Sequence, residues 1–246
     1  LAERFASGSL SREAVVVVSK LGYVQGQNLG LAAEREAAGR PFPEMVKYLD
    51  GCWHCLHPEY LQDQLGRSLD RLRLETLDVC LLHNPEYFLS DAKRRRQGRL
   101  DELRTEFFRR LRDAFRFLEG EVRSGRIAWY GVSSNTLVLP ADDAEAVSLS
   151  RMLEAAREGA GSDHHFRVLE LPLNLLEAGG ALLANTGRDG TETPLALAAR
   201  EGIAVLTNRP LNAYAGGGLI RLADVAGEGE TPGASPDEAL RQVADL

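Results

Sequence analysis

The sequence predicts an α/β fold built on a parallel β-sheet. Five short apolar runs recur along the 246 residues, and a segment with helical periodicity follows each run before the next begins, which is the pattern of repeated βα units. The predicted strands are residues 14–20, 77–83, 127–133, 166–174 and 203–208. Polar residues stand at the ends of these runs, and the carboxyl ends of parallel strands converge on one rim that carries the chemistry of such folds. The pattern therefore predicts an active site.

The first elements are the end of a helix and a strand. Residues 1–7 are typical of a helix that stops at Gly8, and the β-branched run from Ala14 to Val18 is typical of a strand buried on both faces. A long connection follows from Gly22 to His57, and connections of this length inside a compact domain are usually lids or binding loops. We therefore expect this segment to shape a substrate site.

Helices are predicted between the later strands. Pro58 suits the first turn of a helix. The apolar stripe of that helix consists of Leu61, Leu65, Leu69 and Leu72. A second helix is predicted over 103–122 and ends at Gly125, and weaker helical patterns cover 145–158 and 194–201.

The C-terminal part raises the question of whether the sheet closes. Residues 226–236 are interpreted as a flexible loop, and residues 235–238 carry a capping box that starts a final helix. Five βα units do not close an eight-stranded barrel, and an open sheet leaves two unpaired edges. Either the sheet is open and doubly wound, or the chain is an incomplete fragment of a barrel. The start at Leu1 instead of Met, and the end just inside a helix, favour a fragment that forms a single partial domain over 1–246.

Composition restricts the class of partner. The formal net charge is -7, which argues against a nucleic-acid partner. The basic run 93–96 is interpreted as a solvated turn. No stretch approaches the roughly 18 apolar residues of a membrane span. We therefore expect no nucleic-acid and no membrane partner.

The cysteines indicate a reducing compartment. Cys52, Cys55 and Cys80 are too few for a disulfide framework, so we expect a cytoplasmic protein. Residues 52–57 combine a C-x-x-C pair with two histidines, but a structural zinc site usually draws a second ligand pair from elsewhere and no other cysteine pair exists. We interpret this segment as a loop leading into a helix and predict no metal site.

A series of motifs in order along the chain carries a family resemblance. The motifs are Ser19-Lys20, 61–82 with its SLDRLRLETLD core, His83-Asn84-Pro85, 125–135 (GRIAWYGVSSN), 171–175 around Asn174, and 202–211. Together they closely resemble the aldo-keto reductase family, as strands three to seven of a TIM (β/α)8 barrel. The resemblance implies reduction of a small aldehyde or ketone, or oxidation of the alcohol, with a nicotinamide cofactor. That cofactor is usually NADP(H), and NAD(H) stays open.

The resemblance implies two catalytic residues in this chain. The family uses an Asp, a Tyr, a Lys and a His; Lys20 matches the Lys, His83 matches the His, and the Asp and Tyr would lie before Leu1. The chemistry fits these types, because a nearby ammonium lowers the pKa of a phenol that donates the proton. The imidazole can orient the substrate oxygen. Tyr23 and Tyr87 lie near the right strand ends but do not match the family's Tyr.

The resemblance also implies a set of cofactor-binding positions. They are Ser133, Ser134, Glu170, Asn208, Arg209, Leu211, Gly217 and Gly218. Three differ from the family pattern: Ser134 replaces an Asn and Glu170 a Gln at the carboxamide contacts, and Asn208 replaces the aromatic residue that stacks on nicotinamide. A carboxylate can accept a hydrogen bond from the carboxamide NH₂ but cannot donate to its oxygen. The glycines let the backbone approach the pyrophosphate closely.

Three classes of function remain open at this stage. The first is an NADP-dependent oxidoreductase. The second is a binding or regulatory barrel protein that keeps the cofactor but not turnover, which the altered Glu170 and Asn208 make credible. The third is an unrelated lyase in which Lys20 forms a Schiff base. The substrate and the oligomeric state cannot be derived from the sequence.

Overall fold

The structure is a computed structural model that describes residues 2–223. The predicted loop at 226–236 and the predicted helix start at 235–238 lie outside these residues. The helices are α1 (Ala2–Ala6), α2 (Gln27–Ala37), α3 (Pro58–Leu72), α4 (Tyr87–Arg95), α5 (Leu100–Arg123), α6 (Leu149–Ala160), α7 (Gly179–Leu182) and α8 (Pro194–Arg200). The strands are β1 (Val18–Leu21), β2 (Tyr23–Val24), β3 (Val46–Leu49), β4 (Cys52–His54), β5 (Leu77–His83), β6 (Ile127–Ser133), β7 (Phe166–Pro172), β8 (Ala204–Asn208), β9 (Asn212–Ala215) and β10 (Gly218–Arg221).

The central sheet confirms the predicted α/β fold. Its five strands lie in the order β1-β5-β6-β7-β8, and every neighbouring pair is parallel. The register places His83 beside Ser133, and Ser133 beside Glu170. Five parallel strands that neighbour one another in chain order, with helices between them, form the arrangement of part of a TIM barrel.

The helices bury one face of the sheet. The ring of Phe115 on α5 lies 5.6 Å from the ring of Tyr130 and 5.4 Å from that of Phe166, measured between centroids, and all three side chains are fully buried. Beside them, β6 and β7 approach so closely that a Cβ on Gly131 would lie 1.6 Å from the carbonyl oxygen of Val168. Only glycine fits at this position of the strand pair without moving the backbone. Within residues 2–223, no helix is long and apolar enough to cross a membrane.

The first strand is shorter than predicted. It begins at Val18 instead of Ala14, because residues 12–14 form a 3-10 turn. Asp78 Oδ2 accepts hydrogen bonds from the Arg12 guanidinium and from the Val17 backbone NH at 2.8 and 2.6 Å, which holds the entry to the strand. Val16 is 72% exposed. The prediction of a strand buried on both faces was therefore wrong: in the described part of the sheet, β1 is an edge strand.

The segment from Gly22 to His57 is folded, in contrast to the predicted loop. Strands β2, β4 and β3 form a three-stranded antiparallel sheet, and α2 packs beside it. Residues 52–54, which were expected in a loop, form the central strand. The unit has its own apolar cluster, which consists of Val24, Ala32, Phe42, Cys55 and Tyr60.

The basic run 93–96 was predicted as a solvated turn, but it is mostly helical. Lys93, Arg94 and Arg95 form the last turn of α4, where cations interact favourably with the helix dipole. Arg94 and Arg95 pair with Asp91 at 2.8 Å, and Lys93 pairs with Glu145 at 2.7 Å. The charges of Lys93, Arg94 and Arg95 are therefore balanced by carboxylates of the protein itself.

Candidate active site

Lys20 lies at the centre of a polar cluster on the carboxyl-end rim of the sheet. Its Nζ is 2.5 Å from Glu170 Oε1 and 3.4 Å from Ser133 Oγ. Ser133 Oγ also donates to Glu170 Oε1 at 3.1 Å, and Asn208 Nδ2 donates to the same oxygen at 3.1 Å. Side chains from β1, β6 and β8 therefore converge on one carboxylate oxygen of β7, as the strand-end pattern predicted.

The cluster keeps Glu170 ionised. Burial alone would raise the pKa of the Glu170 carboxyl, but hydrogen bonds from Lys20, Asn208 and Ser133 outweigh burial and hold this pKa below its ordinary value. The side chain of Glu170 is 10% exposed. A paired and hydrogen-bonded carboxylate can stay charged at this depth.

His83 lies beside this cluster as a neutral imidazole. Burial, together with the nearby Lys20 ammonium, lowers the pKa of His83 to about 4, and Glu170 opposes this shift. The ring packs edge-on against Tyr23, with ring centroids 4.5 Å apart. At neutral pH the imidazole can therefore donate or accept one hydrogen bond without carrying charge.

Tyr23 does not have the properties of an activated proton donor. Its hydroxyl accepts a hydrogen bond from Asn84 Nδ2 at 2.9 Å. Burial raises the pKa of the phenol, and a hydrogen bond with Tyr87 raises it further. Within residues 2–223, Lys20 makes its side-chain hydrogen bonds to Ser133 and Glu170 and to no tyrosine. No described tyrosine thus takes the place of the family's Tyr.

His54 supports the rim from the small sheet. Its Nε2 lies 2.7 Å from the His83 carbonyl oxygen and donates to it, and burial lowers the pKa of His54 to about 4. Gly22, which has a φ of +124°, allows this contact because a Cβ there would lie 2.7 Å from His54 Nε2. Sequence reasoning considered His54 only as part of a metal-like motif. The described residues hold no group of three or more His, Cys, Asp or Glu side chains that could bind a metal ion.

Two of the predicted cofactor positions, Asn208 and Arg209, each have one buried side-chain atom without a hydrogen-bond partner among the described residues. Asn208 Oδ1 is a buried acceptor with no partner among the described residues, and Arg209 Nε is a buried donor in the same condition. Ser134 is fully buried, and its backbone NH donates to the Glu170 carbonyl at 2.9 Å. The orphaned oxygen of Asn208 fits the NH₂ of a nicotinamide carboxamide, which needs acceptors.

The remaining predicted cofactor positions lie in the segment after β8. Arg209 Nη2 lies 2.8 Å from Glu177 Oε1 and 3.1 Å from Asn135 Oδ1. Gly217 forms the turn of the β9–β10 hairpin, with a φ of +80°, and Gly218 starts the second strand. Leu211 is 58% exposed. Of these residues, Arg209 contacts the rim through its side chain. Within residues 2–223, none of them forms a side-chain hydrogen bond with Lys20.

A cleft of about 930 Å³ opens along this side of the rim. Its polar lining includes Glu86, Asn135 and Arg209, and its apolar lining includes Leu175 and Leu182. Glu86 is 4% exposed and accepts a hydrogen bond from the Asn135 backbone NH at 2.9 Å. Burial outweighs such hydrogen bonds and raises the pKa of Glu86 to about 7. Sequence reasoning did not single out this carboxyl group.

The loop after β7 is fixed by hydrogen bonds of the Asn174 side chain. Asn174 Oδ1 accepts from the backbone NH groups of Leu176 and Glu177 at 3.0 and 2.9 Å. Its Nδ2 donates to the carbonyl oxygens of Arg209 and Asn212, each at 3.2 Å. One side chain thus joins two loops of the rim.

The family of this chain follows from a direct sequence match. Residues 1–150 match the model of the Aldo/keto reductase family, and the chain belongs to that family. This confirms the resemblance deduced from the ordered motifs. No curated protein matches the sequence.

Among the solved structures that resemble this chain are proteins described as aldo-keto reductases or putative aldo-keto reductases. One, from Bombyx mori in complex with NADP, is 17% identical with a TM-score of 0.46, over 99% of this chain and 54% of that chain. Another, from Pseudomonas aeruginosa, is 18% identical with a TM-score of 0.44, over 83% of this chain and 53% of that chain. The holo form of a Bacillus halodurans enzyme is 15% identical with a TM-score of 0.42, over 84% of this chain and 50% of that chain. The chain spans about half the length of these proteins.

Proposed function

We propose that the whole protein transfers hydride between NADP(H) and a small aldehyde, ketone or alcohol. The observation that supports this most is the convergence of Lys20, Ser133, Glu170 and Asn208 beside a neutral His83, on the rim of a chain that belongs to the aldo-keto reductase family. The choice of NADP(H) over NAD(H) rests on the family resemblance.

The cofactor would supply or take up the hydride when bound. In this proposal Ser133, Glu170 and Asn208 hold the carboxamide, because Asn208 Oδ1 is a buried acceptor without a described partner. Ser134 supports them from the adjacent position. The positions proposed for the pyrophosphate are Arg209, Leu211, Gly217 and Gly218.

Lys20 and His83 have different proposed roles. The Lys20 ammonium favours the anionic form of a neighbouring phenol and so strengthens the proton donor. No residue of this sequence matches that phenol, so the proposal requires it from elsewhere in the whole protein. His83, neutral because its pKa is about 4, orients the carbonyl oxygen by donating a hydrogen bond to it.

Two substitutions in the whole protein test these roles. Lys20→Met keeps the length of the side chain and removes its charge, so it should reduce turnover by about 10² to 10⁴-fold, while cofactor affinity changes far less. His83→Gln should retain more of the rate than Lys20→Met. Turnover is followed by loss of NADPH absorbance with a panel of carbonyl compounds, and affinity by quenching of protein fluorescence.

The matched control is Lys93→Met, because this lysine is exposed and pairs with Glu145; it should leave turnover unchanged. If Lys20→Met reduces carbonyls as fast as the parent protein, the catalytic assignment is wrong. A separate comparison uses the 246-residue chain alone. We expect it to oxidise NADPH far more slowly than the whole protein, and an equal rate would contradict the need for an additional proton donor.

A cofactor-binding barrel without turnover is the second candidate. It is favoured by the direct ion pair between Lys20 and Glu170, which engages the ammonium that would otherwise act on a phenol. Binding of NADPH without reduction of any carbonyl compound would distinguish it. The same ion pair argues against the lyase, because a Schiff base forms from a neutral amine. Failure of borohydride to trap a substrate adduct on Lys20 would remove that candidate.

A further inference from the structure

We propose that Glu170 shifts the binding preference of the rim toward the oxidised form of the nicotinamide cofactor. This inference rests on the proposed function, since it concerns how the same site holds its cofactor. The nicotinamide ring carries a positive charge in NADP⁺ and none in NADPH. A fixed carboxylate at the carboxamide position therefore interacts differently with the two redox states.

The cluster differs in charge from the family pattern. Lys20 and Glu170 form an ion pair with no net charge, and the adjacent His83 is neutral at physiological pH. The glutamine that the family resemblance places at position 170 carries no charge. Relative to that pattern, the pocket in this chain is more negative by one charge.

Hydrogen bonding at the same position does not discriminate between the redox states. Glu170 and Asn208 Oδ1 can accept hydrogen bonds from the carboxamide NH₂, and this amide is present in both NADP⁺ and NADPH. These contacts therefore contribute equally to both affinities. Only the charge of the ring changes, so the carboxylate charge of Glu170 shifts the preference toward NADP⁺.

Other charged groups on the rim do not change when Glu170 alone is replaced. Arg209 pairs with Glu177 at 2.8 Å, and the buried Glu86 accepts from the Asn135 backbone NH. A change of the preference on replacing Glu170 is therefore attributed to Glu170. Because tighter binding of NADP⁺ lowers the reduction potential of the bound pair, the same carboxylate makes bound NADPH a stronger hydride donor and slows the release of NADP⁺.

The test compares dissociation constants for NADP⁺ and NADPH, measured by calorimetry on the whole protein. Glu170→Gln keeps the shape and removes the charge, and it should raise the ratio of the NADP⁺ constant to the NADPH constant by about tenfold, the usual effect of one close opposite charge on a charged form. Lys20→Met should move this ratio in the opposite direction at about pH 8. This second variant keeps the test decisive if Glu170→Gln does not fold.

The matched control is Glu121→Gln. Glu121 is also an ion-paired carboxylate, 2.8 Å from Arg126, but it lies at the amino end of the sheet; its replacement should leave the ratio unchanged. If both dinucleotides bind and Glu170→Gln leaves the ratio unchanged, or Lys20→Met moves it in the same direction, the inference is overturned while the proposed function stands. If no nicotinamide dinucleotide binds the parent protein, the proposed function fails, and the inference with it.

Discussion

Replacing Glu86 by glutamine should stabilise the protein above neutral pH and have little effect in acid. The pKa of this buried carboxyl is raised from its ordinary value of 4.5 to about 7. Between these values the folded state binds a proton that the unfolded state does not, so the free energy of unfolding falls as pH rises. Each pH unit between these two pKa values lowers the free energy of unfolding by about 1.4 kcal/mol. The total decrease in this free energy is therefore about 3 kcal/mol above pH 7.

Glutamine cannot ionise, and its amide oxygen can still accept the hydrogen bond from the Asn135 backbone NH. The difference in stability between Glu86→Gln and the parent should therefore be small at about pH 4, grow through the window, and reach at most about 3 kcal/mol at about pH 8. Urea unfolding of both proteins across this range measures it.

A carboxyl with the opposite shift provides the control. The pKa of Glu106 is lowered to about 2, chiefly by a hydrogen bond from Arg109. Its carboxylate therefore stabilises the folded state at pH values above the ordinary pKa, and this stabilisation is lost as pH falls through the pKa of the folded state. Glu106→Gln should thus destabilise the protein at neutral pH. A Glu86→Gln effect that does not vary with pH would refute the reasoning.

Three further substitutions test the packing and the rim. Gly131→Ala should destabilise the protein by about 3 kcal/mol or more, because its Cβ would overlap the Val168 carbonyl oxygen; urea unfolding checks this, and Gly30→Ala, whose Cβ meets no neighbouring atom within 4 Å, is the control that should not destabilise it. Phe115→Ala should cost about 3–5 kcal/mol in the same assay, and a loss below about 1 kcal/mol would contradict the aromatic packing described for α5. Asn174→Ala should increase proteolysis of the loop after β7, and Asn174→Asp, which keeps the two accepted hydrogen bonds, should show a smaller increase; equal rates in all three proteins would refute the capping role.

The sequence was sufficient to predict the central sheet, because its strands are long enough for an apolar run to be recognised. The predicted strands 77–83 and 127–133 coincide with β5 and β6. Order along the chain then determined the neighbours, since crossovers between parallel strands follow one hand. The positions of Lys20, Ser133, Glu170 and Asn208 on one rim followed from their places at the ends of these strands.

The small antiparallel sheet could not be recognised by the same method. Its strands have two to four residues, too few to show a periodic pattern. One signal was available: Asp50-Gly51 separates β3 from β4, and such a pair between apolar residues is typical of a two-residue hairpin turn. Gly51 has a positive φ of 75°, which glycine adopts without steric cost.

The residues missed at the site depend on contacts between distant segments. His54 reaches the His83 carbonyl across 29 positions of sequence, and Asn84 reaches the Tyr23 hydroxyl across 61. The pKa of Glu86 depends on burial under a cleft that several loops form together. Local sequence patterns contain no information about such contacts, so these residues required the structure.

The separate apolar cluster of the small sheet implies that the protein has two units of unequal thermodynamic stability. The small cluster has five buried residues, whereas a much larger cluster lies beneath the central sheet, and units with fewer buried contacts open at lower free energy. Amide hydrogens of β3 and β4 should thus exchange with solvent before those of β5 and β6. Because β2 holds Tyr23 against His83, each such opening would bare the imidazole while the central sheet stays folded, so solvent would reach His83 at a rate set by the small unit.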